Sequence, residues 1–497
     1  MLDPNTLDSI PDVLVALYAQ VEQDILSDMA RRLMRYDYWI PASEHQRQKL
    51  REMGATQQEI IKQLSKLTGK SRDKIKQLMQ QACDDALETD REYYRQHNKD
   101  VPAALSQEMK AILNAGYTSA SKLFKNLTKT TASAGQTQFV DALDRAWLQV
   151  NSGAFDYTTA IRSAIKDLSR QGLHAVNYPF SGRSDTLEVA VRRAIVTGIN
   201  QTAAQMQLQL AKETGNDLVE TTAHAGARPS HVVWQGKVFS LSGKNPKYPD
   251  FYASTGYGTG AGLCGWNCRH SFFPYFEGAG HAYTSDRLRS YEDKNISYNG
   301  KQYTEYEAGQ MQRYNERQIR RWKREYVALE AAGLDTAQAA VKLHSWQERQ
   351  WDFLNQTELK IQGVRQEIVG FGRKQASGAS VIVKKINSVK SGIHKGDYPL
   401  NINPDKQGRH MLGENYIEGR SAITISIDDL QSLVHQFAGT GNIVLDRKGE
   451  WKKQEIVDLG YEIGYTVNKE GRKVKTSKVK IHYSKTGVHV VPFSGRG

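Results

Sequence analysis

Histidine, lysine, arginine and serine recur in three short motifs of the C-terminal tail, with no cysteine and few carboxylates among them. The motifs are Lys406-Gln407-Gly408-Arg409-His410, Arg420-Ser421, and Ile481-His482-Tyr483-Ser484-Lys485-Thr486-Gly487-Val488-His489-Val490-Val491-Pro492. Two imidazoles titrating near neutrality can act as general base and general acid. Lysine and arginine can hold the charge of a pentacovalent phosphorane, so the set suits cleavage of a phosphodiester. The cations would come from Lys406, Arg409 or Arg420.

Strand parity positions the histidines. In Lys480-Ile481-His482-Tyr483-Ser484 alternate side chains share a face. A two-residue turn at Lys485-Thr486 pairs His482 with His489, and one at Thr486-Gly487 pairs Ser484 with His489. Either register leaves His482, Ser484 and His489 on one face. The same residues also read as ordinary surface strand positions, with Lys480 and Lys485 protecting an edge.

A second constellation lies mid-chain. His224-Ala225-Gly226-Ala227-Arg228-Pro229-Ser230-His231 is followed by Gly256-Tyr257-Gly258-Thr259-Gly260-Ala261-Gly262-Leu263-Cys264-Gly265-Trp266-Asn267-Cys268-Arg269-His270. His224, His231, Cys264 and Cys268 could supply four tetrahedral ligands to a structural zinc, although the spacing is not that of a zinc finger. The alternative is that they are packed and hydrogen-bonded. No Lys-Ser/Thr pair follows the glycines and no His-Glu-x-x-His occurs, which excludes a Walker loop and a zincin. Cys83 sits in a helical stretch and reads as a small buried side chain.

Both constellations need a scaffold. Leu14, Leu17, Val21, Ile25, Met29 and Leu33 make one helical stripe. Thr56–Leu67 and Asp73–Leu87 read as two helices around a stop at Gly69, with Ser71 as a cap. That pair resembles a helix-turn-helix, but helix pairs around glycine are commoner as packing units. Further helices are expected at Pro102–Leu127, Thr137–Asn151, Tyr157–Gln171 and Thr186–Thr214, and across Tyr303–Gly363. In the last, aromatics interleaved with Arg313, Arg317, Arg320, Arg321 and Arg324 could lie along nucleic acid or form a solvated face. Gly370–Lys390 is small, basic and aperiodic, as a linker is. In the tail, Ser426 before Asp429 is a near capping box. The helix it opens precedes strands at Ile443–Leu445, Gln454–Asp458, Gly464–Val467 and Val474–Ser484.

With 497 residues, several domains are expected. A net charge of +13 favours a polyanionic partner such as DNA or RNA. The mean hydropathy of -0.60 and the lack of long apolar runs exclude a membrane-spanning helix. Three cysteines are too few for a disulfide framework. Met1-Leu2-Asp3-Pro4 opens no secretory signal.

The mid-chain glycine and cysteine blocks resemble the phage minor capsid protein 2 family, related to the MuF-like head morphogenesis proteins of tailed phages and prophages. The resemblance runs from about Leu2 to Tyr326. It implies a minor head component of the virion, present in few copies and associated with portal and procapsid proteins beside packaged DNA. The tail motifs, with Gly449-Glu450-Trp451, resemble bacterial polymorphic toxin type 50 over about Gly392 to Pro492. That resemblance implies a ribonuclease toxin of the barnase–EndoU–colicin–RelE (BECR) type. Such a toxin cuts RNA through the 2′-hydroxyl without a metal cofactor in the host cytoplasm, and has a cognate immunity protein. It carries catalytic roles onto His410, Arg420, His482, Ser484 and His489, to which the charge argument adds Lys406. One departure is Glu414, where a small or hydroxylic residue is expected.

The expected architecture is therefore multidomain. A mainly α-helical body (1–215) precedes a loop-rich α+β domain (216–300), a charged helical region (301–363), a linker (364–390) and an α+β ribonuclease-like domain (391–497). Two other readings stand beside this one. One is a purely structural portal-associated head protein with an inactive C-terminal binding module. The other is a zinc-dependent enzyme centred on Cys264 and Cys268.

Overall fold

The apolar stripe near the start does become a helix, α1 (Asp12–Arg35), buried through Leu14, Ile25, Met29 and Leu33. It belongs to a helical body in a computed structural model that describes residues 2–152, 155–178, 182–413, 415–446, 449–467 and 471–494. Beside it run α2 (Ala42–Gln96), α3 (Gln107–Asn151), α4 (Tyr157–Gln171) and α5 (Leu187–Glu213). Helices α1, α4 and α5 match the expected spans closely, but α2 and α3 each absorb a boundary that local composition suggested.

Instead of two helices around a turn, one helix of 55 residues passes through Gly69, so no helix-turn-helix forms there. A glycine inside a helix costs roughly 1 kcal/mol. Burying a single leucine or isoleucine stabilises by about 1.5–3 kcal/mol, and Ile60, Leu64, Leu67, Ile75 and Met79 are all buried on one stripe. Packing wins. Ser71 caps nothing and donates instead to the Leu67 carbonyl at 2.9 Å. Cys83 is buried on the same helix, and burial pushes its thiol up to about 12.

The charged segment gives α6 (Glu305–Ala331) and α7 (Ala337–Thr357). Several of its cations are spent inside the protein. Arg320 donates to Glu188 at 2.7 Å and to the Arg365 carbonyl at 2.9 Å. Lys323 donates to the Gln366 carbonyl, and Arg324 is buried against Ser169. Arg317 remains exposed, stacked 5.9 Å from Tyr314. Most of this helix is an internal strut.

The stretch read as a linker is a helix as well, α8 (Arg373–Lys395). Its buried face is Ala379, Val383, Ile386, Val389 and Ile393, at steps of three and four. Glycine, serine and lysine crowd the positions between them, so the stripe is faint in sequence. Ala379 and Val383 join the core of the body, while Ile386, Val389 and Ile393 join the core of the tail. One rigid element thus spans both.

The middle region is loop-rich, as expected. A three-stranded antiparallel sheet, β1 (Leu218–Thr221) between β2 (Val238–Ser240) and β3 (Phe272–Pro274), is its regular core.

The tail packs one helix, α9 (Ile427–Phe437), against two antiparallel sheets. Ser426 caps the helix by accepting the Asp429 N–H at 3.1 Å. One sheet holds β4 (Ala422–Ile423), β7 (Gly464–Val467) and β8 (Lys473–Thr476). The other runs β5 (Asn442–Leu445), β6 (Trp451–Asp458), β9 (Lys478–Ser484) and β10 (Gly487–Pro492). The expected single strand Val474–Ser484 is two strands, because the chain changes sheets at Ser477, whose hydroxyl donates to Asp458 at 2.8 Å. Among the described residues, no helix is long and apolar enough to cross a membrane.

Candidate active site

The final hairpin settles on the turn at Lys485-Thr486. His482 pairs with His489, and Ser484 with Gly487. Gly487, the first residue after the turn, has φ of 113°, and a Cβ there would meet the Asn401 carbonyl, so both backbone conformation and close approach require glycine at this position. With this register the two imidazoles stack, ring centroids 4.5 Å apart and planes inclined by 19°.

A third ring joins them from elsewhere in the chain. The segment before His410 runs along β10, exchanging hydrogen bonds between Asn401, Asn403 and Val488. Gln407, fully buried, then takes the place of a missing strand neighbour. Its amide donates to the Val490 carbonyl at 3.0 Å and accepts the Val490 N–H at 2.7 Å. This pins the turn Gly408–His410 beside the hairpin and lays His410 parallel to His489, 6.3 Å away at 14°. Three imidazoles in the order His482, His489, His410 form one column.

Each ring is oriented separately. His410 Nδ1 lies 3.1 Å from the Ser421 carbonyl, so it carries the proton and leaves Nε2 as a lone pair. The Gln454 amide lies 3.4 Å from His482 Nδ1 across the strand pair. Neither nitrogen of His489 has a hydrogen-bond partner among the described residues. Burial, then His489 and Lys480, pushes His482 down to about 4. Burial, then His410, Lys406 and Arg409, pushes His489 down to about 4. Burial also lowers His410, with Arg420 and Arg409 adding to the effect. The column is neutral at pH 7 and surrounded by cations.

Lys406 reaches the same face and donates to Ser484 Oγ at 3.2 Å, while Ser484 donates to the Gly487 carbonyl at 2.7 Å. Ser484 is therefore engaged in closing its own hairpin. Arg420 is exposed at the rim near His410, with its carbonyl accepting from Tyr416 at 2.6 Å. Glu414 lies outside the described residues. Five of the six anticipated residues gather on one face with the sixth at its edge; Gln407 and Gln454 were missed. Gln407 stood inside a motif already singled out, and Gln454 is the cross-strand partner of His482, so pairing alone could have found it.

These positioning contacts give a test. Gln407→Ala orphans both buried backbone groups of Val490, and each such group costs about 1–3 kcal/mol. The tail is expected to lose about 2–4 kcal/mol, read as faster hydrogen exchange at the Val490 amide. Unchanged protection there would show that Gln407 does not hold the edge.

In the middle region His231, Cys268 and His270 converge, with potential ligand atoms all within 4.8 Å of one another. This is not the expected set. Cys264 instead points its thiol at the His270 carbonyl, 3.6 Å away. His224 stacks on the His270 ring at 4.4 Å, with Nδ1 on the Ala225 carbonyl.

Comparison with known proteins finds family matches over two separate stretches of the chain. Residues 402–492 match the family model described as bacterial toxin 50. No solved structure matches the chain. A structural protein of Lactococcus phage LL-H is 30% identical over 304 residues, covering 57% of this chain and 76% of the relative. A structural protein of Lactococcus phage mv4 is 45% identical over 89 residues, covering 18% of this chain and 63% of the relative. The model described as phage minor capsid protein 2 matches residues 2–355, from the first helices of the body through nearly all of α7. The chain belongs to the phage minor capsid protein 2 family.

Proposed function

We propose that this phage structural protein is a portal-associated minor component of the head whose tail is a metal-independent ribonuclease. The tail would have a fold of the barnase–EndoU–colicin–RelE kind, and a cognate immunity protein would restrain it. Supporting this reading is the column of three imidazoles, flanked by Lys406, Arg409, Lys480 and Arg420, within the toxin-family match. The chemistry follows from those groups. One neutral imidazole takes the proton of an RNA 2′-hydroxyl, and the oxygen attacks the adjacent phosphorus. The 5′-oxygen leaves with a proton from a second imidazole, which becomes basic enough to hold one near neutral pH once the phosphate anion is bound. Lys406 and the arginines offset the charge of the phosphorane.

The reading is tested on the full chain with RNA. Cleavage is expected without added divalent metal and in EDTA, giving 2′,3′-cyclic phosphate ends. Folded protein that leaves RNA intact would replace it with a structural head protein bearing an inert binding module.

A further inference from the structure

Three buried side chains of the middle region converge on one another. His231 lies on the helical turn Pro229–Val232, and Cys268 and His270 lie on the loop entering β3. All three are at most 2% exposed. Asn200 of α5 clamps that loop, donating to the carbonyls of Cys268 at 3.0 Å and His270 at 2.9 Å. Two non-glycine residues of the loop, Cys264 and Asn267, hold positive φ of 58° and 53°. Such backbone persists where surrounding structure over-determines it.

The hydrogen bonds fix both tautomers. His231 Nε2 faces the Ala261 carbonyl at 2.9 Å, which can only accept. His270 Nε2 faces Gln235 Oε1 at 3.1 Å. The amide cannot be flipped, because the same Oε1 accepts the His224 backbone N–H at 3.3 Å. Both rings therefore carry their proton on Nε2 and a lone pair on Nδ1. Those two Nδ1 atoms lie 3.7 and 3.6 Å from the Cys268 sulfur. A thiol has one proton and can satisfy only one of them. The second Nδ1 lone pair then faces the lone pairs of the sulfur.

A cation resolves this. Bond lengths of about 2.3 Å to sulfur and about 2.05 Å to nitrogen give a tetrahedral S···N edge of about 3.6 Å. Histidine ligands that donate their other N–H to carbonyl oxygens are the usual outer shell of such sites. The geometry points to a zinc-class site with three protein ligands, His231 Nδ1, Cys268 Sγ and His270 Nδ1, in which a water molecule would complete the tetrahedron and Cys264 lies outside the ligand set. One thiolate and two imidazoles select zinc or cobalt over magnesium or calcium. The ion would tie the Pro229–Val232 turn to the β3 loop, in a region whose sheet strands are only three or four residues long. The inference is independent of any activity in the tail.

The experiment uses the full chain, purified after growth with zinc and separately reloaded with cobalt. Stoichiometric zinc is expected after dialysis. The cobalt form should show visible bands of tetrahedral cobalt and a sulfur-to-cobalt charge-transfer band in the near ultraviolet. Cys264→Ser should keep both signals, and Cys268→Ser should lose the charge-transfer band. Should Cys268→Ser fail to fold, the first variant still decides, because it leaves Cys268 as the only thiol in the loop. Folded wild-type protein without zinc and without the cobalt bands overturns the site. Loss of the charge-transfer band in Cys264→Ser overturns the ligand assignment.

Discussion

His489→Ala is expected to lower RNA cleavage by about 10²–10⁴-fold, the usual contribution of one general acid–base group, while leaving the tail folded. His489 is the middle ring of the column and touches both others, so its loss separates His410 from His482 as well. The strands beneath it are held by Val488 and Val490, both fully buried, which is why the fold should survive. The pH dependence offers a second measure of the same group. His482 and His489 are both held down to about 4, first by burial and then by like charge. A mechanism needing one neutral and one protonated ring then works best in the free protein on the acid side of 6.5, the ordinary imidazole value. A bound phosphate anion favours the charged ring and raises its pKa. The optimum of kcat/KM, which reports the free protein, should therefore lie below 6.5, and that of kcat should lie higher. A wild-type optimum of kcat/KM on the alkaline side, or full activity in His489→Ala, would remove the imidazole column from the chemistry.

Glu455→Ala is expected to cost about 3–5 kcal/mol of tail stability. The Glu455 side chain is completely buried on β6, where its carboxylate accepts the N–H of Gly439 at 2.9 Å, the N–H of Gly441, and the hydroxyl of Tyr483 at 2.5 Å. Alanine leaves two buried donors and one half-buried donor unpaired, each buried one worth about 1–3 kcal/mol. These donors sit on the loop after α9 and on β9, so the carboxylate joins helix to sheet. Glu455→Gln keeps the size and part of the bonding and should lose clearly less. Urea unfolding separates the two variants. Equal stability of Glu455→Ala and wild type would mean that the loop finds other acceptors.

Much of this architecture is legible in the sequence. Helices α1, α4 and α5 form where the sequence places them, since burial of apolar side chains dominates local preference. Strand parity placed His482, Ser484 and His489 on one face whatever the turn. The motifs also marked the two family matches, because their residues lie close together in the chain.

Where the sequence misled, a local signal was overridden at a distance. Gly69 and the small residues of Gly370–Lys390 looked like breaks, yet neighbouring helices bury what flanks them, and the chain stays helical through α2 and α8. The zinc-type cluster has the same lesson. Four residues could be chosen by type, but the loop carrying Cys264 and Cys268 turns through left-handed backbone. It delivers Cys268 and His270 to His231 and turns Cys264 away. Pairing of neighbouring residues within one strand hairpin is dictated by covalent geometry, so sequence by itself determined that two histidines of the tail share a face. Only the tertiary structure decided that His410 completes the column, because Gln407 must find the open edge of β10, and that edge exists only once the sheet has formed.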